Sequence, residues 1–505
     1  MIEKSTTNKI CIVLIIILSF VAIGCGILYG AEFIDYWYMK ATGDYLLSGG
    51  SLYNNPFTVN NLDIVVQQWL YCIFMSLVDK GGPICVFLVV LTYILGFMAV
   101  CVGYAKIHKI DGFLGYIIAL IAICVTGGYV YKIRPETVSL ILFVVQMILI
   151  EKAVRKNKPL YFYGFIPIMI LEINLHGSVW FIHYLIVITY VFPNIFKKCT
   201  VDNIIRDKRL LKHLRIALAL MTVSMFCNPY GYKMFVYTFL TLKEGVFSYI
   251  TIVETMQPYT LSAVAICTYL LIGFIVAGCV NKCLRTSSVY LASGFALMTL
   301  MMNRNIMFLS LGYICVFVDF AVYFQRKKKV SVTTTKQETM VLSVVTLLAC
   351  LAFFAFFHVE IGCNDFLSKK GIPEIVNYID EYYSKDDHIY AAAGLGSYME
   401  YKGYTNIFMD SRPEVYTKVI NSKKDVLEEF DMYGHRLIIY EDDDEHFSNS
   451  NITADEMQEF IDKYDFQCFI VTKYENALFY YLSFSDEYEC TMSENEVFLF
   501  ERSVR

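Results

Sequence analysis

The chain has 505 residues, of which 57% are hydrophobic and 18% charged, with a formal net charge of -5. A water-soluble protein of this length needs far more polar surface, so most of this chain is solvated by lipid. The acidic balance and the lack of a basic, aromatic-rich patch exclude nucleic acid as a partner.

The first apolar run, Cys11–Gly30, follows Lys4 and Lys9 as in a signal peptide. It is long enough for a full span and has no small-x-small cleavage site behind it, so an uncleaved first transmembrane helix is expected. Further spans are expected at roughly 83–104, 113–129, 136–150, 160–174, 177–194, 214–229, 260–280, 287–302, 306–324 and 338–358, about 11 in all. Gln67–Val78 is apolar but too short to cross, and is expected as an amphipathic helix on the membrane surface.

Positive charge fixes the orientation, because Lys and Arg near span ends stay in the cytoplasm. Under this threading "KIHK" (106–109), "EKAVRKNK" (151–158), "KKCTVDNIIRDKRLLKHLR" (197–215), "NKCLR" (281–285) and "QRKKK" (325–329) all share the side of the N-terminus. Turning Gln67–Val78 into a span would move most of them outside. The chain therefore reads as a multi-pass cell-membrane protein with a cytoplasmic N-terminus.

After His358 the apolar runs stop. Strand-like runs (Ile389–Ala393, Asn406–Met409, Phe466–Thr472, Val497–Glu501) alternate with helical stretches (Pro373–Tyr383, Ala454–Tyr464). That alternation predicts a small α/β domain. The division is a polytopic α-helical domain, 1–358, with a first outer loop at about 31–82, and an extracytoplasmic α/β domain, 359–505. The acidic run "EDDDEH" (441–446) lacks the spaced ligands of a calcium loop and reads as solvated. The cysteines lie mainly in apolar runs without a C-x-x-C pair, as small hydrophobes do.

The outer connections hold the unusual residues. The first carries Asp35, Trp37, Asp44 and Trp69. The second, "YVYKIRPE", carries Lys132, Arg134 and Glu136, and the third, "EINLHG", carries Glu172, Asn174 and His176. The fourth opens "CNPYGY", with Asn228, and runs through Glu254; the fifth, "MNRN", holds Arg304. Taken singly, the arginines could snorkel to headgroups, Glu136 could pair with Arg134, and His176 could be a packing residue. Taken together on one face they favour a site, because charge at membrane depth is costly and marks substrate pathways. Arginine forks match phosphate oxygens, and Trp and Tyr rings stack on sugars or sit at headgroup level. No Walker loop, G-x-G-x-x-G, H-E-x-x-H or G-x-S-x-G motif competes.

The pieces "DYWYMKATGDYLLSGGSLYNNPF", "QQWL", "IRPE", "NLHG", "NPYG", "NRN" and "GLGSYMEYKGYTNIFMDSRPEVY" occur in that order across nearly the whole chain. In this ordered set the chain resembles the polytopic GT-C glycosyltransferases, which include protein O-mannosyltransferases, aminoarabinose transferases and oligosaccharyltransferases. It is most similar there to bacterial members with a C-terminal extracytoplasmic domain. The resemblance implies a GT-C-like membrane enzyme with a polyprenyl-phosphate sugar as donor and co-substrate. It also implies an envelope glycan, lipid or protein as acceptor.

The catalytic carboxylate of the first outer loop matches Asp35, which would act as general base on the acceptor hydroxyl. Arg304, Arg134 or Lys132 would stabilise the departing phosphate. Trp37, Asp44, Trp69, Glu136, His176 and Asn228 complete the expected substrate-binding set. The chain departs from the family in having Tyr36-Trp37-Tyr38 where relatives often place a histidine after the tryptophan, and in lacking an Asp-x-Asp pair here. These departures leave a divalent cation open. Two other readings stand beside the enzyme: a transporter or flippase of a lipid-linked sugar, and a non-catalytic envelope-assembly protein. An enzyme needs Asp35, whereas a translocator needs a polar path through the spans.

Overall fold

The computed structural model describes residues 34–110, 112–126, 129–243, 262–328, 372–435, 437–439 and 451–503. The expected spans 11–30 and 338–358, Glu254 and the acidic run 441–446 lie outside the described residues.

In chain order the longer helices are α1 (Ile34–Leu47), α2 (Trp69–Lys80), α3 (Gly82–Ile107), α4 (Gly112–Val125), α5 (Glu136–Lys156), α6 (Phe165–Leu175), α7 (Phe181–Val191) and α8 (Lys208–Ser224). They continue with α9 (Tyr232–Lys243), α10 (Ala263–Val280), α11 (Thr286–Met301), α12 (Ile306–Lys328), α13 (Ile372–Tyr382), α14 (Ala393–Tyr401), α15 (Ala454–Tyr464) and α16 (Asn476–Phe484). The strands are β1 (Ile389–Tyr390), β2 (Leu437–Ile439), β3 (Asn451–Thr453), β4 (Cys468–Thr472), β5 (Tyr488–Glu494) and β6 (Val497–Arg502). The backbone divides into two compact units. One holds the described residues of Gly81–Gly231 and Ile252–Val359; the other holds those of Glu32–Lys80, Tyr232–Thr251 and Glu360–Arg505.

The first unit is all helical, and the protein is a membrane protein by its helices. Among the described residues, four segments are long and apolar enough to cross a bilayer: Ile84–Ile107, Glu136–Lys156, Ala263–Val280 and Asn303–Lys327. Gly112–Val125, Pro159–Leu175, Phe181–Val191 and Thr286–Met301 are shorter apolar helices. The structure thus supports a helical membrane unit but not the number of about 11 spans. The expected span 214–229 corresponds to α8, which starts earlier because Asp207 caps it, its carboxylate accepting from the Leu210 N–H at 2.8 Å. Its first turns therefore lie in the basic run.

Helix α5 outruns its expected end at 150 because the next residues are not solvent loop. Glu151 is buried, and Arg155 Nε donates to it at 2.9 Å, one turn along. Glu151 also receives Nη1 of Arg285. Arg285 Nε reaches Asp319 of α12 at 2.5 Å, its Nη2 reaches the Tyr104 hydroxyl at 3.1 Å, and its Nη1 lies 3.2 Å from His108. One guanidinium thus ties α3, α5, α11 and α12 together. Residues read as loop charge by the positive-inside rule here form a buried clamp.

In the second unit α1 and α2 pack closely. A Cβ at Gly43 would sit 2.1 Å from the Cys72 carbonyl oxygen, so glycine is what permits this helix approach. Helix α2 buries Tyr71, Cys72, Met75, Ser76 and Val78, leaving Phe74 and Leu77 exposed. A four-stranded sheet has the order β1-β4-β6-β5, with β1 parallel to β4 and the rest antiparallel. The expected strand Asn406–Met409 forms only isolated bridges, from Ile407 to Ile389 and to Thr58. Ile407 N donates to Phe57 O at 3.1 Å and Val59 N to Ile407 O at 3.0 Å, so the outer loop lends this segment its partner. Tyr390, Phe408, Phe460, Phe466 and Phe469 fill the core around it.

Candidate functional site

In the helical unit, three motifs distant in sequence converge on one carboxylate. Glu136 stands in the first turn of α5, where Pro135 starts the helix and the macrodipole favours a negative charge. Nη2 of Arg304 lies 2.5 Å from Glu136 Oε1, and the charges of His176 and Arg134 act on the same carboxylate. "IRPE", "NRN" and "NLHG" therefore meet. Arg304 sits in a 3-10 turn, Asn303–Asn305. Asn305 fixes that turn by donating from Nδ2 to Met298 O at 2.8 Å. The Arg304 side chain remains 37% exposed. Lys132 is buried with its ammonium 5.0 Å from the Tyr129 ring centroid. Asn228 holds its own turn: Nδ2 donates to Met225 O at 2.7 Å and Gly231 O at 3.2 Å, and Oδ1 accepts from Tyr230 N at 2.8 Å.

Beneath Glu136 runs a buried polar network. His176 Nδ1 is 2.8 Å from Ser139 Oγ, and that hydroxyl is 2.6 Å from Glu172 Oε1. Glu172 Oε2 is 3.3 Å from His183 Nε2, and His183 Nδ1 is 2.8 Å from Gln146 Oε1. The sequence carries a signal for the partners Ser139, Gln146 and His183 that the outer-loop reading passed over. Ser139 and Gln146 are seven positions apart on α5, two helical turns, and His176 at the end of α6 and His183 in α7 repeat that spacing across the turn between them.

In the second unit, Asp35 lies in the first turn of α1 and is half-buried. Its charge acts on Tyr38 one turn later, where burial first and that charge second push the phenol up. Trp37 is buried edge-on to Tyr398 at 5.0 Å. Trp69 opens α2 and is half-buried. Asp44 is committed elsewhere: Lys40 Nζ lies 2.8 Å away and the Ser76 hydroxyl donates to it. Burial opposes its charge, but the bonds from Lys40 and Ser76 hold its carboxyl below the usual range.

The segment "EYKGYTNIFMDSRPE" supplies residues absent from the expected set. Arg412 stacks on Tyr38 at 4.8 Å from the ring centroid and forks onto Asp410, with Nε 3.1 Å from both carboxylate oxygens. Glu400, buried and 4.0 Å from Arg412, has no donor for either oxygen. Its neighbour is the second carboxyl, Asp410. A proton on Glu400 removes the conflict by letting it donate. Burial and the Asp410 charge both raise Glu400 well above the ordinary glutamate range. Asp410 is held low, because the Arg412 charge and hydrogen bonds outweigh its burial. Asn55 Nδ2 reaches Asp410 at 3.4 Å, so the outer loop is fastened to this cluster as well.

Among the described residues no group of three or more His, Cys, Asp or Glu side chains is arranged to hold a metal ion. No family model matches the sequence, and no curated protein matches it. Among solved structures, the chain is similar to the apo crystal structure of the Archaeoglobus fulgidus oligosaccharyltransferase. The match is at 11% identity and a TM-score of 0.44, covering 98% of this chain and 74% of that one.

Proposed function

We propose that this protein is an integral-membrane glycosyltransferase of GT-C type that moves a sugar from a polyprenyl-phosphate donor to an extracytoplasmic envelope acceptor. The observation that carries this reading is the convergence of "IRPE", "NLHG" and "NRN" on Glu136. Motifs up to 168 positions apart have no reason to meet at the ends of apolar helices unless that place has a task.

In this reading Arg304, with Arg134 and Lys132, handles the donor phosphate, and Glu136 holds Arg304 in position until the lipid arrives. A planar guanidinium can keep one edge on a carboxylate and offer its other donors to phosphate oxygens. Asp35, the position that the resemblance matches to the catalytic carboxylate of the first outer loop, is the general base. Trp37 and Trp69 supply aromatic surface near that base.

The test is turnover of a panel of radiolabelled polyprenyl-phosphate sugars by the purified full-length protein in lipid. Release of polyprenyl phosphate that depends on both donor and acceptor supports the enzyme. Donor crossing the bilayer unchanged would instead favour the flippase.

A further inference from the structure

Hydrogen-bond bookkeeping in the network beneath Glu136 does not close without an extra proton. Glu172 and His183 are 0% exposed, Gln146 0%, Ser139 1% and His176 3%, so bulk solvent does not reach them. Gln146 Nε2 donates to the His183 carbonyl at 3.2 Å. A carbonyl only accepts, which fixes the amide orientation and leaves Gln146 Oε1 as an acceptor. His183 Nδ1, 2.8 Å from that oxygen, must therefore carry a hydrogen.

A neutral imidazole has one N–H, so His183 Nε2 would then be a bare lone pair aimed at Glu172 Oε2 at 3.3 Å. Two acceptors cannot face each other in a buried site without cost. A hydrogen must lie between them, on Nε2 as an imidazolium or on the carboxyl as an acid. The other end of the chain closes in both cases. With Glu172 ionised, Ser139 donates to it and accepts from His176 Nδ1, and His176 Nε2 accepts from Ser178. With Glu172 protonated at Oε2, the same arrangement holds.

We infer that Glu172 and His183 together bind one proton inside the membrane-spanning part of the protein, reached from one side along Ser178, His176 and Ser139. Ser178, 3.1 Å from His176 Nε2, is half-buried, whereas Gln146 at the far end is fully buried. From Ser139 to Gln146 the chain descends about 10 Å along α5. Among the described residues the hydrogen bonds end at Gln146, so the chain is a one-sided store and not a conduit through the membrane. The charged and titratable groups facing it are Glu136 on α5, Arg134 before it, Arg304 in the 303–305 turn, and the two histidines themselves.

The experiment uses the full-length protein in lipid nanodiscs at neutral pH, with histidine 15N resonance and infrared spectra of the same sample. The expected result is a doubly protonated His183 ring or a protonated-carboxyl stretch from Glu172. Glu172→Gln assigns the signal by abolishing it, since the amide can donate to Nε2 without a further proton. If that variant does not fold, Glu172→Asp assigns it by shifting the carboxyl band. An ionised Glu172 beside a singly protonated His183 in the wild-type spectra would overturn the inference. This readout needs no sugar donor, so it stands or falls apart from the transferase reading.

Discussion

Arg285 holds Asp319 twice: its side-chain Nε lies 2.5 Å from one carboxylate oxygen and its backbone N–H donates to the other at 2.8 Å. The same guanidinium serves Glu151, His108 and Tyr104. Arg285→Met strands the buried Asp319, while Glu151 keeps Arg155, and removing one partner of a buried pair costs about 3–5 kcal/mol. Arg285→Lys should recover little, because three donors on one nitrogen cannot reach partners spread over three other helices. Thermal unfolding in detergent, read against wild type, checks both variants.

Asp35→Asn keeps the size and hydrogen bonding of the side chain but removes its ability to take a proton. Transfer should fall by ~10²–10⁴-fold, the usual worth of general-base catalysis, with donor binding near normal. Asp44→Asn should lose stability more than chemistry, since it breaks the Lys40 pair. A rate assay combined with a melting curve separates the two, and an Asp35→Asn enzyme of wild-type rate would remove the base assignment.

For Arg304 the contrast is between charge and shape. Arg304→Lys keeps a cation beside Glu136 but loses the fork, so donor use should weaken by about tenfold or more, equivalent to ~1.4 kcal/mol. Glu136→Gln should raise the donor KM less than it disorders Arg304. Initial rates across donor concentration distinguish these outcomes.

The Glu400–Asp410–Arg412 cluster gives a signed pH dependence. Glu400 has its folded pKa raised, so its contribution is complete below the unfolded value of about 4.3 and declines as pH rises towards the folded value. Asp410 has its folded pKa lowered; its contribution is present above about 3.9 and is lost as pH falls. Glu400→Gln should therefore match wild type near pH 4 and be the more stable of the two at pH 7, because the amide has no proton to release on unfolding. Asp410→Asn should cost about 3–5 kcal/mol by stranding Arg412. Denaturation across pH, followed by tryptophan fluorescence, reads both.

Orientation is tested with cysteine labelling. The native Cys490 is exposed and should react with a membrane-impermeant thiol reagent added outside intact cells. A cysteine at Lys327, also exposed, should not. The opposite pattern would reverse every assignment of side.

What was legible in the sequence were the features set by local chemistry. Apolar runs gave helices α3, α4, α10, α11 and α12 to within four residues at each end, and the helix at Ala454–Tyr464 was expected with the bounds it has. Charges were harder, because composition cannot tell a solvated basic loop from a buried clamp. His108, Glu151 and Arg285 read as cytoplasmic charge until their partners came together. The Asn406–Met409 segment looked like a strand because it is mostly apolar, and it does bridge to Ile389, but its other partner is a loop some 350 residues upstream. Ser139, Gln146 and His183 were passed over and His176 was read only as part of the outer face, since only the packing of α5, α6 and α7 shows that they bond to one another. Asp35 was named from the resemblance and Arg304 from its apolar flanks, and the buried acids Glu400 and Asp410 were not named, because a carboxyl pair formed ten positions apart has no signature in one dimension.

The union of residues 57–60 with 407–408 sets an order of events in biosynthesis. Asn60 Nδ2 donates to Phe408 O across 348 positions, so the first outer loop is translated long before its partner exists. At about 5–20 residues per second, Asn60 waits for roughly tens of seconds before the Phe408 carbonyl is made. A chain cut before the "MDSRPE" segment leaves Asn60 without the Phe408 carbonyl and Tyr38 without the Arg412 guanidinium.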